Sequence, residues 1–170
     1  MQPTPDITLR PARREDVPAI LALIRGLAEY EKLAHEVEAD EASLAATLFG
    51  DRPRAEVVIA QCDGAAAGFA LFFHTYSTFL AKPGLYLEDL FVQPRYRGRG
   101  IGRRLMAHLA RLAVERGCGR FEWTVLDWNA PAIGFYRSLG AVGMDDWTTQ
   151  RVSGEALRRL ANDEATSTAG

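Results

Sequence analysis

The chain has 170 residues and a formal net charge of −2, and it is 48% hydrophobic and 25% charged. This balance is typical of a globular domain with one core, and the slightly acidic charge gives no support for nucleic acid as the main partner. We expect a single domain over residues 1–162 and a disordered tail of small polar residues at 163–170.

Signals for a metal, a disulfide framework or a membrane are missing from the sequence. The three histidines lack metal-ligand spacing, and two cysteines are too few for a disulfide framework in a chain of this size. Cys118 has basic neighbours that would suit a reactive thiol, but an ordinary reduced cysteine is the favoured interpretation. Without a signal peptide or a membrane-spanning apolar run, we expect a cytoplasmic protein with no metal and no membrane partner.

The first part of the chain predicts a strand, two helices and a strand hairpin. The predicted bounds are 7–10 for the strand, 15–32 and 40–49 for the helices, and 56–61 and 65–76 for the hairpin. Pro18 lies in the first turn of the first helix, where a missing N–H costs little, and Gly26 is a weak point inside that helix. Gly68 is a candidate for a β-bulge in the second hairpin strand.

The second part alternates strands and helices. The predicted bounds are 84–92 for a strand, 101–116 for a helix, 121–126 for a strand, 129–139 for a helix, 142–144 and 147–152 for a final strand pair, and 153–160 for a helix. A hairpin followed by a strand–helix–strand crossover implies an α/β fold, with a mixed sheet of six to seven strands and helices on both faces.

Residues 89–104 connect a central strand to a helix through closely spaced glycines. Gln93-Pro94 ends the strand, and Gly98, Gly100 and Gly102 precede the apolar face of the helix. A helix N-terminus presents free N–H groups and partial positive charge, and glycine lets a phosphate approach the backbone closely. Five arginines add charge, and the spacing fits neither the dinucleotide fingerprint nor the P-loop. The sequence therefore predicts an anion site of another kind.

Residues 29–41 are strongly acidic, with Lys32 as their only lysine or arginine. One interpretation is a solvated loop followed by the acidic first turn of the second helix. The other is a rim that attracts cations. The sequence does not separate the two, and both can hold for different residues.

Two motifs together resemble the GNAT N-acetyltransferase superfamily: the segment Arg97-Gly-Arg-Gly-Ile-Gly102 after a Leu-Glu-Asp-Leu-Phe-Val strand, and Asn129-Ala-Pro-Ala-Ile-Gly-Phe-Tyr136. Within that superfamily the nearest resemblance is to the diamine (spermidine/spermine) acetyltransferases. The motifs that carry it are Leu27-Ala-Glu-Tyr-Glu31, Leu85-Tyr-Leu-Glu-Asp-Leu-Phe-Val92, Tyr96-Arg-Gly-Arg-Gly-Ile-Gly102 and Trp128-Asn-Ala-Pro-Ala-Ile-Gly-Phe-Tyr136, of which the second and third are the most specific. The resemblance runs from about residue 7 to residue 160 and implies the GNAT acyl-CoA N-acyltransferase fold. Relatives commonly have lysine where this chain has Glu29, which bears on the substrate rather than on the chemistry.

The resemblance implies acetyl-CoA as cosubstrate. The residues that it assigns to acetyl-CoA are Leu90, Phe91, Val92, Arg97, Gly98, Arg99, Gly100, Ile101, Gly102 and Asn129. Among them, the backbone of Leu90 and Val92 would contact the pantetheine arm as an added strand would, and residues 97–102 would hold the pyrophosphate. Asn129 would also cap its own helix.

The amine side and the chemistry follow from the same resemblance. The residues assigned to the amine are Glu29, Tyr30, Glu31, Glu88 and Trp128. A lysine-like amine has a pKa of ~10.4, so it arrives protonated, and Glu88 is the candidate base, directly or through a water. We expect Glu88 and Asp89 to point to opposite faces of their strand. Tyr136 corresponds to the general acid that serves the departing thiolate.

These assignments lead to one favoured function and two alternatives. The favoured function is transfer of an acetyl group from acetyl-CoA to a primary amine of a polyamine, diamine or lysine-like amino acid, by direct attack in a ternary complex. The alternatives are acetylation of a protein N-terminus or lysine, and an acyl-CoA-binding module without turnover. Retention of Glu88 and Tyr136 argues against the module. The resemblance also implies a homodimer.

Overall fold

A five-stranded sheet organises the first of two units into which the chain divides, Met1–Thr124 and Val125–Gly170. The computed structural model describes residues 6–166. In the first unit the strands are β1 (Ile7–Pro11), β2 (Glu56–Cys62), β3 (Ala65–Ser77), β4 (Lys82–Val92) and β5 (Phe121–Trp123), and the helices are α1 (Val17–Tyr30), α2 (Glu41–Phe49) and α3 (Ile101–Glu115). The predicted α/β class is confirmed.

The strands lie in the order β1-β2-β3-β4-β5. The first four pair antiparallel and β5 pairs parallel to β4, which makes the sheet mixed. Helix α3 forms the connection between β4 and β5, as a parallel pair requires. The sheet described in residues 6–166 has five strands rather than six to seven.

Helices α1 and α2 cover one face of the sheet. Ile20 and Leu23 of α1 join Val57, Ile59 and Phe69 of the sheet in one buried cluster. Alternate residues of the same strands, such as the buried Val58, point to the opposite face. Helix α3 contacts β2, β3 and β4 there with an apolar stripe. That stripe consists of Ile101, Leu105, Met106, Leu109 and Ala113. Helices therefore lie on both faces, as the sequence predicts.

Local sequence signals explain most element ends. Pro18 occupies the first turn of α1. The side chain of Asp40 caps α2 by accepting a hydrogen bond of 2.7 Å from the Ser43 N–H. Helix α1 runs unbroken through Gly26, where a Cβ would lie 2.9 Å from the Phe91 ring. Glycine allows α1 to pack closely against β4.

Two register shifts interrupt the ladders of the sheet. Between β2 and β3, the pairs Ala60–Gly68 and Gln61–Ala66 leave Ala67 as an extra residue next to Gly68. The predicted bulge is thus confirmed within one residue. Between β3 and β4, the pairs Leu71–Asp89 and Phe72–Leu87 leave Glu88 as the extra residue. Nothing in the local sequence around Glu88 predicted this second bulge.

The second unit contains two helices, α4 (Ala130–Ser138) and α5 (Gly154–Thr166). The predicted final strand pair at 142–144 and 147–152 is wrong, since residues 141–153 form no strand. Val142, Met144 and Trp147 of that segment are exposed. Alternating apolar residues thus occur here without the ladder partner that a strand needs.

Helix α5 continues past its predicted end near residue 160 and includes residues 163–166 of the predicted disordered tail. Ala161, Glu164 and Ala165 in its last turns are residue types that favour helix. The remaining four residues of that tail lie outside the described residues. A single domain over residues 1–162 stays a prediction. None of the helices within residues 6–166 has the length and apolarity that a membrane crossing requires.

Candidate functional site

The glycine-rich turn lies at the end of β4, where the sequence places it. Residues 94–96 form a single 3-10 turn, and Gly98 and Gly100 follow with φ angles of 76° and 77°. These are left-handed conformations that glycine adopts at little cost. Helix α3 begins at the next residue, Ile101. The first N–H groups of α3 and the preceding turn therefore form a backbone site suited to an anion.

Hydrogen bonds from several directions fix this turn, which we call the phosphate loop (residues 97–102). The Gln93 backbone N–H donates to the Ala67 oxygen at 2.9 Å, and its side chain Nε2 donates to the Ala66 oxygen at 2.8 Å. One turn into α3, Arg104 Nη1 donates to the backbone oxygen of Ile7 at 3.1 Å. The loop is thus tied to β3 and β1 through groups other than its own N–H groups.

The loop arginines do not form one basic cluster. The Arg97 Nε donates to the Val92 backbone oxygen at 3.0 Å, and its guanidinium lies 4.9 Å from the centre of the Tyr30 ring. The Arg99 guanidinium lies 5.6 Å from the Tyr96 ring, and one of its nitrogens is 3.5 Å from the Cys62 sulfur. Both side chains have protein partners, so the loop's backbone is the principal anion-binding group that the arrangement offers.

The residues predicted for the amine side lie at the C-terminal end of α1. Glu29 is exposed, while Tyr30 and Glu31 are the last residue of the helix and its C-cap. Helix α1 is held to β4 at Gly26, beside Phe91. This contact brings the predicted amine residues of α1 to the strand that carries Glu88.

The bulge changes which way the carboxylates of β4 point. Asp89 pairs with Leu71, and both lie on the α1 face of the sheet. Leu87 pairs with Phe72, the residue after Leu71 in β3, so both lie on the opposite face. Leu87 and Asp89 therefore lie on opposite faces although they are two residues apart. Regular alternation does not hold across the bulge at Glu88, so the expected opposition of Glu88 and Asp89 stays a prediction.

Asp89 is a site residue that the sequence reasoning missed. Burial raises its pKa to about 6, with smaller contributions from the negative charges of Glu88 and Glu31. Burial also raises the pKa of Glu31. Glu88 itself is exposed. The only signal in the sequence was adjacency to Glu88, and that did not indicate that Asp89 turns inward towards α1.

The acidic residues of the segment 29–41 have different surroundings in the structure. Asp40 caps α2, and this hydrogen bond lowers its pKa, so it behaves as an ordinary helix-capping residue. Glu31 instead lies close enough to Asp89 for its charge to contribute to the raised pKa of that residue. Among the described residues, no group of three or more potential ligands is arranged to hold a metal ion.

The remaining predicted residues, Trp128, Asn129 and Tyr136, belong to the second unit. Asn129 caps α4 as expected, since its Oδ1 accepts a hydrogen bond of 3.3 Å from the Ala132 N–H. Tyr136 lies on α4 with its ring centre 5.3 Å from that of Phe135. In the first unit, by contrast, the structure brings Glu31, Glu88 and the phosphate loop to the same end of β4.

The chain matches the model of the Acetyltransferase (GNAT) family over residues 21–141, which is more than half of its length. The chain belongs to the GNAT acetyltransferase family, and it is an N-acetyltransferase that uses acetyl-CoA.

Curated relatives match nearly the whole chain. The thialysine N-epsilon-acetyltransferase of Mus musculus is 38% identical, over 90% of this chain and 96% of that protein. L-ornithine N5-acetyltransferase NATA1 of Arabidopsis thaliana is 34% identical, over 89% of this chain and 86% of that protein. Spermidine/spermine N(1)-acetyltransferase-like protein 1 of Homo sapiens is 32% identical over 92% of this chain, which spans 24% of that longer protein. The predicted resemblance to diamine acetyltransferases is confirmed.

We expect Asp89→Asn to stabilise the protein at neutral pH but not at acid pH. Because the folded-state pKa of Asp89 is raised from 3.8 to about 6, the folded protein binds its proton more tightly than the unfolded chain does. Stability from this group is thus fully present below pH 3.8 and is lost as the pH rises through about 6. About two pKa units correspond to roughly 2–3 kcal/mol.

The measurement is urea unfolding of both proteins between pH 4 and pH 8. The difference in unfolding free energy should grow by roughly 2 kcal/mol across that range. Glu88→Gln is the matched control, because it removes a neighbouring charge from an exposed position and should give a much smaller difference. A pH-independent difference for Asp89→Asn would contradict a raised pKa.

Proposed function

We propose that this acetyltransferase transfers the acetyl group of acetyl-CoA to a primary amine of a small molecule. The acceptor is a polyamine, a diamine or a lysine-like amino acid, and the amine attacks the thioester directly in a ternary complex. The observation that carries this proposal is the acidic rim of Glu31, Glu88 and Asp89 beside the phosphate loop. Such a rim favours a cationic acceptor next to the thioester.

The names of the relatives support the same acceptor class. The mouse, Arabidopsis and human relatives are named for thialysine, ornithine and spermidine or spermine, each a small molecule with a terminal amine. The acidic rim suits the positive charge that such molecules share. A protein N-terminus or lysine remains the alternative acceptor.

On the cosubstrate side, we assign the pyrophosphate to the backbone of the phosphate loop. The two left-handed glycines let the phosphate approach N–H groups without a side chain between them. Upstream, the backbone groups of Leu90 and Val92 lie just past the bulge and would bind the pantetheine arm as an added strand does. Asn129 is a further proposed contact to CoA.

In the proposed reaction, Glu88 takes the proton of the ammonium group, directly or through a water. The free amine then forms a bond to the carbonyl carbon of the thioester, the nitrogen loses its second proton to solvent, and the carbon–sulfur bond breaks. Tyr136 donates its hydroxyl proton, or a hydrogen bond, to the departing thiolate. Trp128 is proposed as a wall of the amine site. We also propose a homodimer and a cytoplasmic location, which follow from the family resemblance and from the sequence.

The first test is a panel of acceptors with acetyl-CoA, followed by release of free thiol. Polyamines, ornithine and lysine-like amino acids should support turnover, whereas peptides with a free N-terminus or an internal lysine should not. Thiol release with peptides alone would favour the alternative acceptor. Binding of acetyl-CoA without turnover on any acceptor would indicate a module.

We expect Gly100→Val to weaken CoA binding by at least tenfold. The φ of Gly100 is +77°, and a Cβ there meets no atom within 4 Å, so the substitution strains the loop without a clash in the folded protein. Gly117→Val is the matched control, because Gly117 also has a positive φ of +68° in open space, but outside the phosphate loop. Calorimetry with CoA compares the three proteins, and equal affinities would contradict the loop assignment.

The roles of the two proposed catalytic residues predict different pH–rate profiles. Tyr136→Phe should lower kcat by roughly two to four orders of magnitude at every pH, since a higher pH supplies no proton to sulfur. Glu88→Gln should recover partly as pH rises, because the amine then loses its proton in solution. Profiles at saturating acetyl-CoA test both variants, and parent-like rates for both would refute the assignment.

A further inference from the structure

We infer that Arg97 is a positioning residue that couples occupancy of the phosphate loop to the C-terminal end of α1, and thereby to amine binding. The inference rests on the proposed function, because it takes the loop as the CoA site and the end of α1 as part of the amine site. It assigns to Arg97 a role different from that of a phosphate ligand.

The main chain and the side chain of Arg97 belong to two different parts of the site. Its main chain opens the phosphate loop, with its N–H donating to the Pro94 oxygen at 3.2 Å and Gly98 following in the left-handed conformation. Its side chain turns back along β4, where Nε donates to the Val92 oxygen at 3.0 Å. Any change in the loop backbone at Arg97 therefore also moves the guanidinium.

The guanidinium lies against aromatic rings from two elements. Its central carbon is 4.9 Å from the centre of the Tyr30 ring and 5.7 Å from the centre of the Phe91 ring. Both distances are within the range of cation–π attraction. Tyr30 is the last residue of α1, and Phe91 belongs to β4. Arg97 thus connects the phosphate loop to the helix end that carries Glu31.

Helix α1 reaches Arg97 because its preceding turn is packed against β4. Gly26 lies so close to Phe91 that a Cβ there would be 2.9 Å from the ring. Tyr30 follows four residues later on the same side of the helix. Gly26 and Tyr30, on successive turns of α1, therefore contact Phe91 and Arg97. Because Arg97 opens the phosphate loop, its contact with Tyr30 depends on the conformation of that loop.

The contact between Arg97 and Tyr30 can restrain the conformation of the C-terminal end of α1. The last bonds of the helix run from the N–H groups of Glu31 and Leu33 to the oxygens of Leu27 and Ala28, at 2.9 and 2.8 Å. Between them, Lys32 has a φ of +62°, a left-handed value that a lysine adopts only at some cost. Terminal turns of this kind open readily, and a contact at Tyr30 restrains them.

The other two arginines near the start of the loop provide a contrast. The guanidinium groups of Arg95 and Arg99 lie 4.8 and 5.6 Å from the Tyr96 ring, within their own segment. Neither contact reaches α1. Arg95 therefore offers a matched control, since its replacement removes the same charge and the same kind of ring contact at a neighbouring position.

Coupling of this kind is reciprocal. If CoA fixes the loop and Arg97 passes this order to the end of α1, then acetyl-CoA must strengthen amine binding by the same factor by which the amine strengthens acetyl-CoA binding. We expect a factor of about 3 to 10, near the lower end of what is usual between linked sites. Removing the guanidinium should bring that factor close to one.

The first test uses CoA alone and follows amide hydrogen exchange in peptides that cover residues 27–33 and 98–106. In the parent and in Arg95→Met, saturating CoA should slow exchange in both peptides. In Arg97→Met, it should slow exchange in the loop peptide only. Equal slowing of the α1 peptide in Arg97→Met and the parent would overturn the inference. Absence of slowing in the loop peptide of the parent would overturn the proposed function with it.

The second test separates positioning from a general loss of structure. At saturating acetyl-CoA, Arg97→Met and Tyr30→Leu should each raise KM for the amine about 3- to 10-fold with little change in kcat, and the double variant should resemble either single one. Arg95→Met, the control at the neighbouring position, should leave KM for the amine near the parent value. Additive effects in the double variant, or a fall in kcat with an unchanged KM, would show that the two residues act separately.

Discussion

The register shift at Glu88 is the constraint on which the geometry of the site depends. In a regular strand, Leu87 and Asp89 would lie on the same face of the sheet. Either Leu87 would then lie on the α1 face beside the carboxylates, or Asp89 would be buried under α3. The extra residue resolves this conflict, because it lets Leu87 pack opposite Phe72 while Asp89 joins Leu71 on the α1 face. The same bulge leaves Glu88 exposed and without a paired residue in β3, where a ladder would otherwise engage its backbone.

The close approach of α1 to β4 places the end of this helix beside the bulge. Without a side chain at Gly26, the helix packs directly on Phe91, and its last turn brings Glu31 within electrostatic reach of Asp89. Burying a carboxylate beside two others opposes folding, and the raised pKa of Asp89 expresses that cost. Natural cores avoid such groupings, so their persistence here is consistent with a cationic ligand that offsets the repulsion.

Sequence reasoning predicted the parts of this molecule that local chemistry determines. The glycine turn, the proline in the first turn of α1, and the Asn129 cap depend on residues within four positions of one another, and the structure has them where expected. The bulge at Glu88 could not be predicted, because a register shift is set by two strands together. The absence of strands at 142–152 has the same origin, since apolar alternation does not supply a ladder partner. The side-chain directions of Arg97 and Arg99 likewise depend on rings and carbonyl groups that are distant in sequence.

The arginines of the phosphate loop and the carboxylates of the acidic rim carry opposite charges that do not cancel. The loop arginines are occupied by Tyr30, Tyr96 and backbone oxygens, so they do not neutralise the carboxylates on the α1 face. Asp89, with a pKa of about 6, is therefore partly protonated in mildly acid solution, and in the proposed function a cationic amine and a proton would compete for this carboxylate. Binding of the amine would draw the Asp89 pKa down and release a proton before any chemistry begins. In the proposed function, the site would favour a cationic acceptor over a neutral one, because only a cation relieves the repulsion among Glu31, Glu88 and Asp89.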